Sequence, residues 1–157
     1  MEIKIKKVVT YLREDKFPYL EVEETPFTVD ERKMHDTPEM IYELTKKMRM
    51  TERATEMVTL LIFDNANHLL CVHELSTGSI NRSVISPREI AQTILLAGGC
   101  NCALAHNHPS GDTTPSDMDI TITKQIKEAL NLLQIRLLDH LVVGKYGYVS
   151  MVEKELL

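Results

Sequence analysis

An apolar strand pattern that leads directly into two histidines is the feature that most limits how this chain can fold. Residues 102–105 read Cys-Ala-Leu-Ala, which is typical of a short buried strand, and His106 and His108 follow. Side chains two positions apart on a strand point to the same face, so the two imidazoles should project side by side, roughly 7 Å apart along the backbone. Pro109 has no backbone donor and suits the end of a strand.

A helix pattern begins shortly after the histidines. Ser116 is a suitable N-cap residue, and the apolar residues after it recur at helical spacing. Asp119 lies on this apolar stripe, whereas Asp117 does not. A buried carboxylate without a partner is very costly. A metal ion held by the two histidines would be that partner, with bonds of about 2 Å.

The same residues also have plain structural interpretations. Ser116 and Asp119 match a capping box, in which Asp119 would serve only the helix N-terminus. A single histidine on a strand is more often a hydrogen-bonded core residue than a ligand. Two histidines on one face, with an inward-facing aspartate one short loop away, favour the metal interpretation, although short motifs also occur by chance.

Two strings of sequence carry a resemblance to a known family. His-Asn-His-Pro-Ser-Gly-Asp, which begins at His106, followed by Pro-Ser-x-x-Asp, resembles the JAMM motif of JAB/MPN metalloproteases and is closest to their RadC-like branch. The resemblance implies that His106, His108 and Asp119 bind Zn²⁺, with a water in the fourth position. It also implies that Ser116 hydrogen-bonds the reacting carbonyl oxygen.

A zinc hydrolase also needs a carboxylate that moves protons without being a ligand. Glu56 precedes the strongest strand pattern, residues 57–63, and is in line with its apolar positions. Taken alone, this position favours a solvated glutamate at a frayed strand start. In RadC-like chains a glutamate precedes an apolar strand that ends in aspartate, here Asp64, so the resemblance implies that Glu56 is catalytic. Glu52 is a second acid close by.

A Leu-Leu-Asp-His-Leu-Val-Val segment near the C-terminus is also typical of RadC-like chains. Asp139 and His140 in this segment should point to opposite faces of a strand, so one of them can face the site. A role in supporting a ligand and a role as a buried, hydrogen-bonded core histidine both remain open for His140.

The other patterns alternate between strands and helices. Helices are predicted at residues 38–50 and, from a Ser-Pro-Arg-Glu capping box, after residue 86. Further strands are predicted at residues 2–12, 68–75, 79–85, 137–143 and 148–152. This order predicts an α/β fold with a three-layer mixed β-sheet flanked by helices. The JAB/MPN fold, which is related to cytidine deaminases, has that architecture.

The chain divides into two predicted parts. Residues 1–36 are expected to be an N-terminal extension made of a strand plus loops, with short extended pieces after residue 12, and residues 37–157 a RadC-like JAMM metallohydrolase domain. RadC proteins commonly carry a helix-hairpin-helix DNA-binding region before this domain. Residues 1–36 are too short and too acidic for such a region.

Composition limits the expected partners and location. A net charge of −5 argues against a nucleic-acid-binding protein, although the family resemblance leaves such a role open. The charged N-terminus and the lack of a membrane-spanning run predict a cytoplasmic protein without a membrane partner. The three cysteines also fit a reducing cytoplasm. Cys100 and Cys102 are expected to be small buried residues rather than ligands.

The leading hypothesis is a zinc metallohydrolase of JAMM type that cleaves a peptide or isopeptide bond through metal-activated water. Its peptide or protein substrate and its oligomeric state are not indicated by the sequence. The alternative is a non-catalytic RadC-like module in DNA repair or protein interaction, which usually lacks the metal residues present here. The signature of zinc deaminases is missing.

Overall fold

A computed structural model describes residues 1–77 and 85–157 of the chain. Within these residues there are seven strands and three α-helices, and a short 3-10 helix at Met50–Glu52. The strands are β1 (Glu2–Leu12), β2 (Pro18–Asp30), β3 (Met57–Phe63), β4 (Leu69–Thr77), β5 (Asn101–Asn107), β6 (Arg136–Gly144) and β7 (Gly147–Ser150). The helices are α1 (Pro38–Lys47), α2 (Pro87–Leu96) and α3 (Asp117–Leu132).

The seven strands form one mixed sheet in the order β2-β1-β4-β3-β5-β6-β7. The interior strand β5 is antiparallel to β3 on one side and parallel to β6 on the other. Strands β3 and β5 are buried along their whole length. The nearly continuous apolar sequence of β3 suits this position, whereas β5 also buries the polar side chains of Asn101, His106 and Asn107. The end of β5 is therefore held rigidly between two neighbouring strands.

Helices cover both faces of this sheet. On one face, Leu104 of β5 belongs to a buried core with Ile94 of α2 and Ile126 of α3. On the other face, Leu61 of β3 belongs to a second core with Ile41 of α1. The predicted three-layer α/β arrangement with a mixed sheet is therefore confirmed.

The N-terminal segment forms a long antiparallel hairpin instead of a strand followed by short extended pieces and loops. Strand β1 pairs with β2 from Glu2 opposite Asp30 to Leu12 opposite Pro18, and it joins the rest of the sheet through β4. The sequence predicted only short extended pieces and loops after residue 12 and missed the length of β2. This is an edge strand with mostly exposed side chains, which weakens the apolar alternation that marks a strand. The domain boundary at residue 36 stays a prediction.

Some predicted helix ends differ from those in the structure. Helix α1 ends at Lys47, and Arg49 has a left-handed backbone with a φ of 57° before the 3-10 helix begins. Ser86 occupies the N-cap of α2, but its side chain makes no capping hydrogen bond, so the predicted capping box is wrong. The strand predicted at residues 79–85 lies, apart from Ile85, outside the described residues.

The three cysteines have two kinds of environment. Cys71 and Cys102 are buried, whereas Cys100 is exposed. The predicted burial is confirmed for Cys102 and wrong for Cys100, which follows the turn that ends α2. Burial raises the pKa of the Cys71 thiol to about 11 and that of Cys102 to about 12.

Among the helices in the described part of the chain, none is both long enough and apolar enough to cross a bilayer.

Candidate metal centre

The candidate metal centre lies where β5 ends and α3 begins. His106 is the penultimate residue of β5 and is 1% exposed. Its position on the strand alternates with that of Ala105, so it shares a face with Leu104 and points toward α3. His108 follows the strand, and its backbone nitrogen donates a 3.1 Å hydrogen bond to the carbonyl oxygen of Val143 in β6. Both histidines are thus fixed by the sheet.

Three potential ligands converge at this point. The donor atoms of His106, His108 and Asp119 all lie within 4.8 Å of one another. His106 Nε2 is 2.9 Å from His108 Nε2 and 3.4 Å from Asp119 Oδ2. Two bonds of about 2 Å from one tetrahedral ion hold their donor atoms about 3.3 Å apart. The spacing and the nitrogen and oxygen donors therefore suit Zn²⁺ with three protein ligands and one open position.

Asp119 also completes a capping box with Ser116. Its Oδ2 accepts a 2.8 Å hydrogen bond from the Ser116 backbone nitrogen, and its own backbone nitrogen donates to Ser116 Oγ at 3.1 Å. Burial alone would raise the pKa of the Asp119 carboxyl, but His106 and the Ser116 hydrogen bonds outweigh it and hold the pKa well below its usual range. Capping and facing the histidines are therefore compatible in one ionised carboxylate.

A chain of hydrogen bonds lies behind these ligands. Nε2 of His140, on β6, is 2.8 Å from Nδ1 of His106. Nδ1 of His140 is 2.6 Å from Oγ1 of Thr123, on α3, and this hydroxyl donates a 2.6 Å hydrogen bond to the backbone carbonyl oxygen of Asp119. Burial lowers the pKa of His140 well below its ordinary value, so its imidazole is neutral.

Asp139 points to the opposite side of β6, as the alternation of a strand requires. Its carboxylate accepts hydrogen bonds from the Ser150 hydroxyl and from the backbone nitrogens of His140 and Val152. Burial raises its pKa, and these hydrogen bonds oppose that effect only in part. Of the two residues considered from the sequence, His140 is the one that faces the site.

Glu56 immediately precedes β3, next to the histidine strand. The pairing of β3 with β5 sets Val58 opposite His106, and continuing this register by two residues sets position 56 opposite position 108. Residues opposite one another in an antiparallel pair share a face of the sheet. Glu56 is half-buried and stands outside the cluster of three ligand residues. This arrangement suits a group that acts beside a metal.

Asn107 secures the segment that carries Glu56. Its Oδ1 accepts a 2.7 Å hydrogen bond from the Met57 backbone nitrogen, and its Nδ2 donates a 3.0 Å hydrogen bond to the Thr55 carbonyl oxygen. Sequence analysis missed both Asn107 and Thr123. Thr123 carries a weak signal, since it follows Asp119 by four positions and so lies on the same helix face.

A cleft of about 750 Å³ opens beside His108. Its lining includes Pro109 and Ser110 from the loop after β5, and Lys145 and Tyr146 from the turn between β6 and β7. Tyr146 is 91% exposed. The volume lies within the range of ligand-binding clefts, about 300–1,000 Å³.

A three-layer α/β fold with a His-x-His pair at the end of a central strand, and an aspartate in the first turn of the next helix, defines the class of JAB/MPN domains. Residues 35–156 match the RadC-like JAB domain, and the chain belongs to this family. The resemblance found in the sequence is therefore confirmed.

Relatives from several bacteria have similar sequences. The chain is 40% identical over 111 residues to a UPF0758 protein of Pseudomonas syringae pv. tomato, covering 71% of this chain and 50% of the relative. It is 36% identical over 116 residues to a UPF0758 protein of Clostridium tetani, covering 74% of this chain and 50% of the relative. It is 40% identical over 111 residues to UPF0758 protein YkfG of Escherichia coli K12, covering 71% of this chain and 70% of the relative. The chain thus spans about half the length of the first two relatives.

Proposed function

We propose that the protein is a zinc-dependent hydrolase that cleaves a peptide or isopeptide bond. The observation that carries this proposal is the convergence of His106, His108 and Asp119 in a JAB domain. When bound there, Zn²⁺ lowers the pKa of a water to about 7 and polarises the carbonyl group to be attacked.

Glu56 carries protons in this proposal. The β3–β5 pairing supports this role, because extending it by two residues beyond Val58 and His106 places Glu56 opposite His108, and Glu56 is half-buried there. Its carboxylate accepts a proton from the attacking water and delivers it to the nitrogen of the leaving amine. Such positioned acid–base groups contribute about 100- to 10,000-fold to a rate.

Ser116 stabilises the oxygen that becomes negatively charged. Its Oγ accepts the hydrogen bond from the Asp119 backbone nitrogen, so its hydroxyl hydrogen can be donated to the substrate. The capping box holds this hydroxyl in place before the substrate binds. A preorganised donor of this kind contributes about 100- to 1,000-fold to kcat.

The cleft beside His108 is the proposed entry for a peptide or protein substrate. Lys145 and Tyr146 line it from the β6–β7 turn and offer a cation and an aromatic ring to a passing peptide segment. Because both residues are at the surface, the bond to be cleaved can belong to a large protein and need not be enclosed.

Elemental analysis combined with hydrolysis assays tests this proposal. We expect about one zinc per wild-type chain, none in His108→Ala, and cleavage by the wild type of at least one member of a mixed panel of peptide and isopeptide-linked substrates. Glu56→Gln should keep zinc and lose turnover. Glu128→Gln is the matched comparison, since Glu128 is exposed on α3 outside the cleft beside His108, and it should retain turnover.

Two outcomes would contradict the proposal. Loss of zinc from Glu56→Gln would make Glu56 a ligand or a structural residue. A wild-type protein that takes up no zinc even after incubation with it would favour a non-catalytic interaction module.

A further inference from the structure

We propose that His140 and Thr123 are positioning residues that fix the tautomer of His106 and so direct its Nε2 lone pair toward the metal position. This inference rests on the proposed zinc site and concerns residues outside the three ligands. It follows from the direction in which hydrogens must be donated along one buried chain of contacts.

One end of this series of hydrogen bonds is a backbone carbonyl oxygen, which can only accept a hydrogen bond. The Asp119 carbonyl oxygen lies 2.6 Å from Thr123 Oγ1, so the single hydroxyl hydrogen of Thr123 is committed to it. Oγ1 of Thr123 must then act as an acceptor toward His140 Nδ1, which is 2.6 Å away. The hydrogen of His140 is therefore on Nδ1.

The remaining hydrogen bond, between His140 and His106, then determines which nitrogen of His106 carries its hydrogen. A neutral imidazole carries one N–H, so Nε2 of His140 is an acceptor and takes a hydrogen from His106 Nδ1, 2.8 Å away. His106 then has no hydrogen on Nε2. The lone pair of this atom faces His108 Nε2 at 2.9 Å and Asp119 Oδ2 at 3.4 Å.

The opposite direction is disfavoured by burial. It would turn the Thr123 hydroxyl toward His140 and leave two oxygens, those of Thr123 and Asp119, 2.6 Å apart with no hydrogen between them. Thr123 is 0% exposed and His140 is 1% exposed, so bulk water does not relieve this contact. Two contacts favour a hydrogen on His106 Nε2. One is the Asp119 carboxylate, whose 3.4 Å distance is long for such a bond. The other is His108 Nε2 at 2.9 Å, which is an acceptor because His108 Nδ1 donates to the Asp112 carbonyl oxygen, and a metal ion between the two nitrogens would take the place of that hydrogen.

The contacts also join three elements. His140 lies on β6, which runs parallel to the histidine strand β5, and Thr123 lies one helical turn after Asp119 on α3. These hydrogen bonds therefore link the side chain of His106 to the backbone of Asp119, which are two of the proposed ligand residues.

Nitrogen-15 NMR of the histidine rings in the metal-free full chain tests the inference directly. At neutral pH we expect His106 and His140 both in the Nδ1–H form. Thr123→Val keeps a branched side chain of similar size but removes the hydroxyl, and it should move His106 toward the Nε2–H form. Thr123→Ser retains the hydroxyl and should behave as the wild type. An Nε2–H form of His106 in the wild type would overturn the inference.

Zinc affinity provides a second readout that a purely structural role would not change. Competition with a chelating dye should show zinc binding about 10- to 100-fold weaker in Thr123→Val and in His140→Gln, with wild-type affinity in Thr123→Ser. Wild-type affinity in a folded Thr123→Val protein would contradict the inference, whether or not His140→Gln folds. If the wild type binds no zinc, the proposed function fails, while the NMR measurement still decides the tautomer of His106.

Discussion

The side-chain oxygen of Asn107 accepts a 2.7 Å hydrogen bond from the backbone nitrogen of Met57. The nitrogen of the same amide donates to the carbonyl oxygen of Thr55 at 3.0 Å, so Asn107 hydrogen-bonds the backbone on both sides of Glu56. Asn107 itself lies between His106 and His108 and is 2% exposed. The strand that presents the two histidines thus also sets the position of the proposed proton carrier.

Replacing Asn107 should therefore separate catalysis from metal binding. In Asn107→Ala we expect kcat to fall because Glu56 is no longer held, while zinc content stays near one per chain. The unpaired backbone groups of Met57 and Thr55 should also lower the free energy of unfolding by about 1–3 kcal/mol. Zinc analysis, kinetics and denaturant unfolding measure the three effects.

Asn131→Ala is the control for this substitution, because Asn131 is exposed on α3 and should tolerate the change. An Asn107→Ala protein with wild-type kcat would show that Glu56 does not depend on this clamp or has no part in turnover.

Two aspartates in the first turn of α3 should behave differently. Asp119 faces the histidines and caps the helix, whereas Asp117 is exposed. Asp119→Ala should abolish zinc binding and cost about 1 kcal/mol of stability even without metal, since a capping interaction is lost. Asp117→Ala should keep zinc and most of the stability. Equal zinc binding by the two variants, measured by elemental analysis, would remove Asp119 from the ligand set.

The metal-free protein should also lose the Asp119 contribution in acid. Because the folded-state pKa of Asp119 is lowered, its contribution is fully present above the unfolded-state pKa of about 4 and is lost as the pH falls toward the folded-state pKa. Asp119→Ala should therefore have a shallower decline in stability below about pH 4 than Asp117→Ala. Parallel acid unfolding curves, followed by circular dichroism, would contradict this expectation.

The convergence of the three candidate ligands could be predicted from sequence because their spacing is local. His106 and His108 share a face through strand periodicity, and Asp119 lies on the buried stripe of the next helix. The contacts of His140 and Asn107 depend instead on which strands become neighbours and in what register, and spacing along the chain does not encode that. Contacts that depend on tertiary neighbours therefore cannot be predicted from spacing in a single sequence.

The same distinction explains the fold predictions. Fully buried strands such as β3 show a continuous apolar run, so their position was predicted correctly. Strand β2 is at the sheet edge, where alternate side chains need not be apolar, and its glutamates and prolines resembled a loop. Burial, more than backbone conformation, determined which strands could be recognised.

The cysteines should differ in reactivity toward an alkylating reagent. Cys100 is exposed, whereas burial protects Cys71 and Cys102 and raises their thiol pKa to about 11 and about 12. Because the thiolate is the reactive form, iodoacetamide at pH 8 should label only Cys100 in the folded protein and all three after unfolding. Peptide mass spectrometry measures the labelling. Rapid labelling of Cys102 in the folded state would contradict the burial of β5.

His35 should make folding sensitive to mild acid. It is 1% exposed, its ring stacks on Phe63 with centroids 5.7 Å apart, and its Nδ1 has no hydrogen-bond partner within the described ranges. Burial lowers its pKa below the ordinary value of 6.5. Between pH 6.5 and that lower pKa the unfolded chain binds a proton that the folded chain does not, so stability falls as the pH falls, by up to about 1.4 kcal/mol per pH unit.

Removing this histidine should remove its share of that slope. His35→Phe retains an aromatic ring against Phe63 and cannot bind a proton, so its stability should decline less between pH 6.5 and 5 than that of the wild type. The other buried histidines keep their contributions in both proteins, and the difference between the two curves therefore isolates His35. Denaturant unfolding of the metal-free proteins at a series of pH values measures it. Parallel curves, or an NMR titration that gives His35 a pKa of 6.5 or higher, would show that its buried ring accepts a proton without cost.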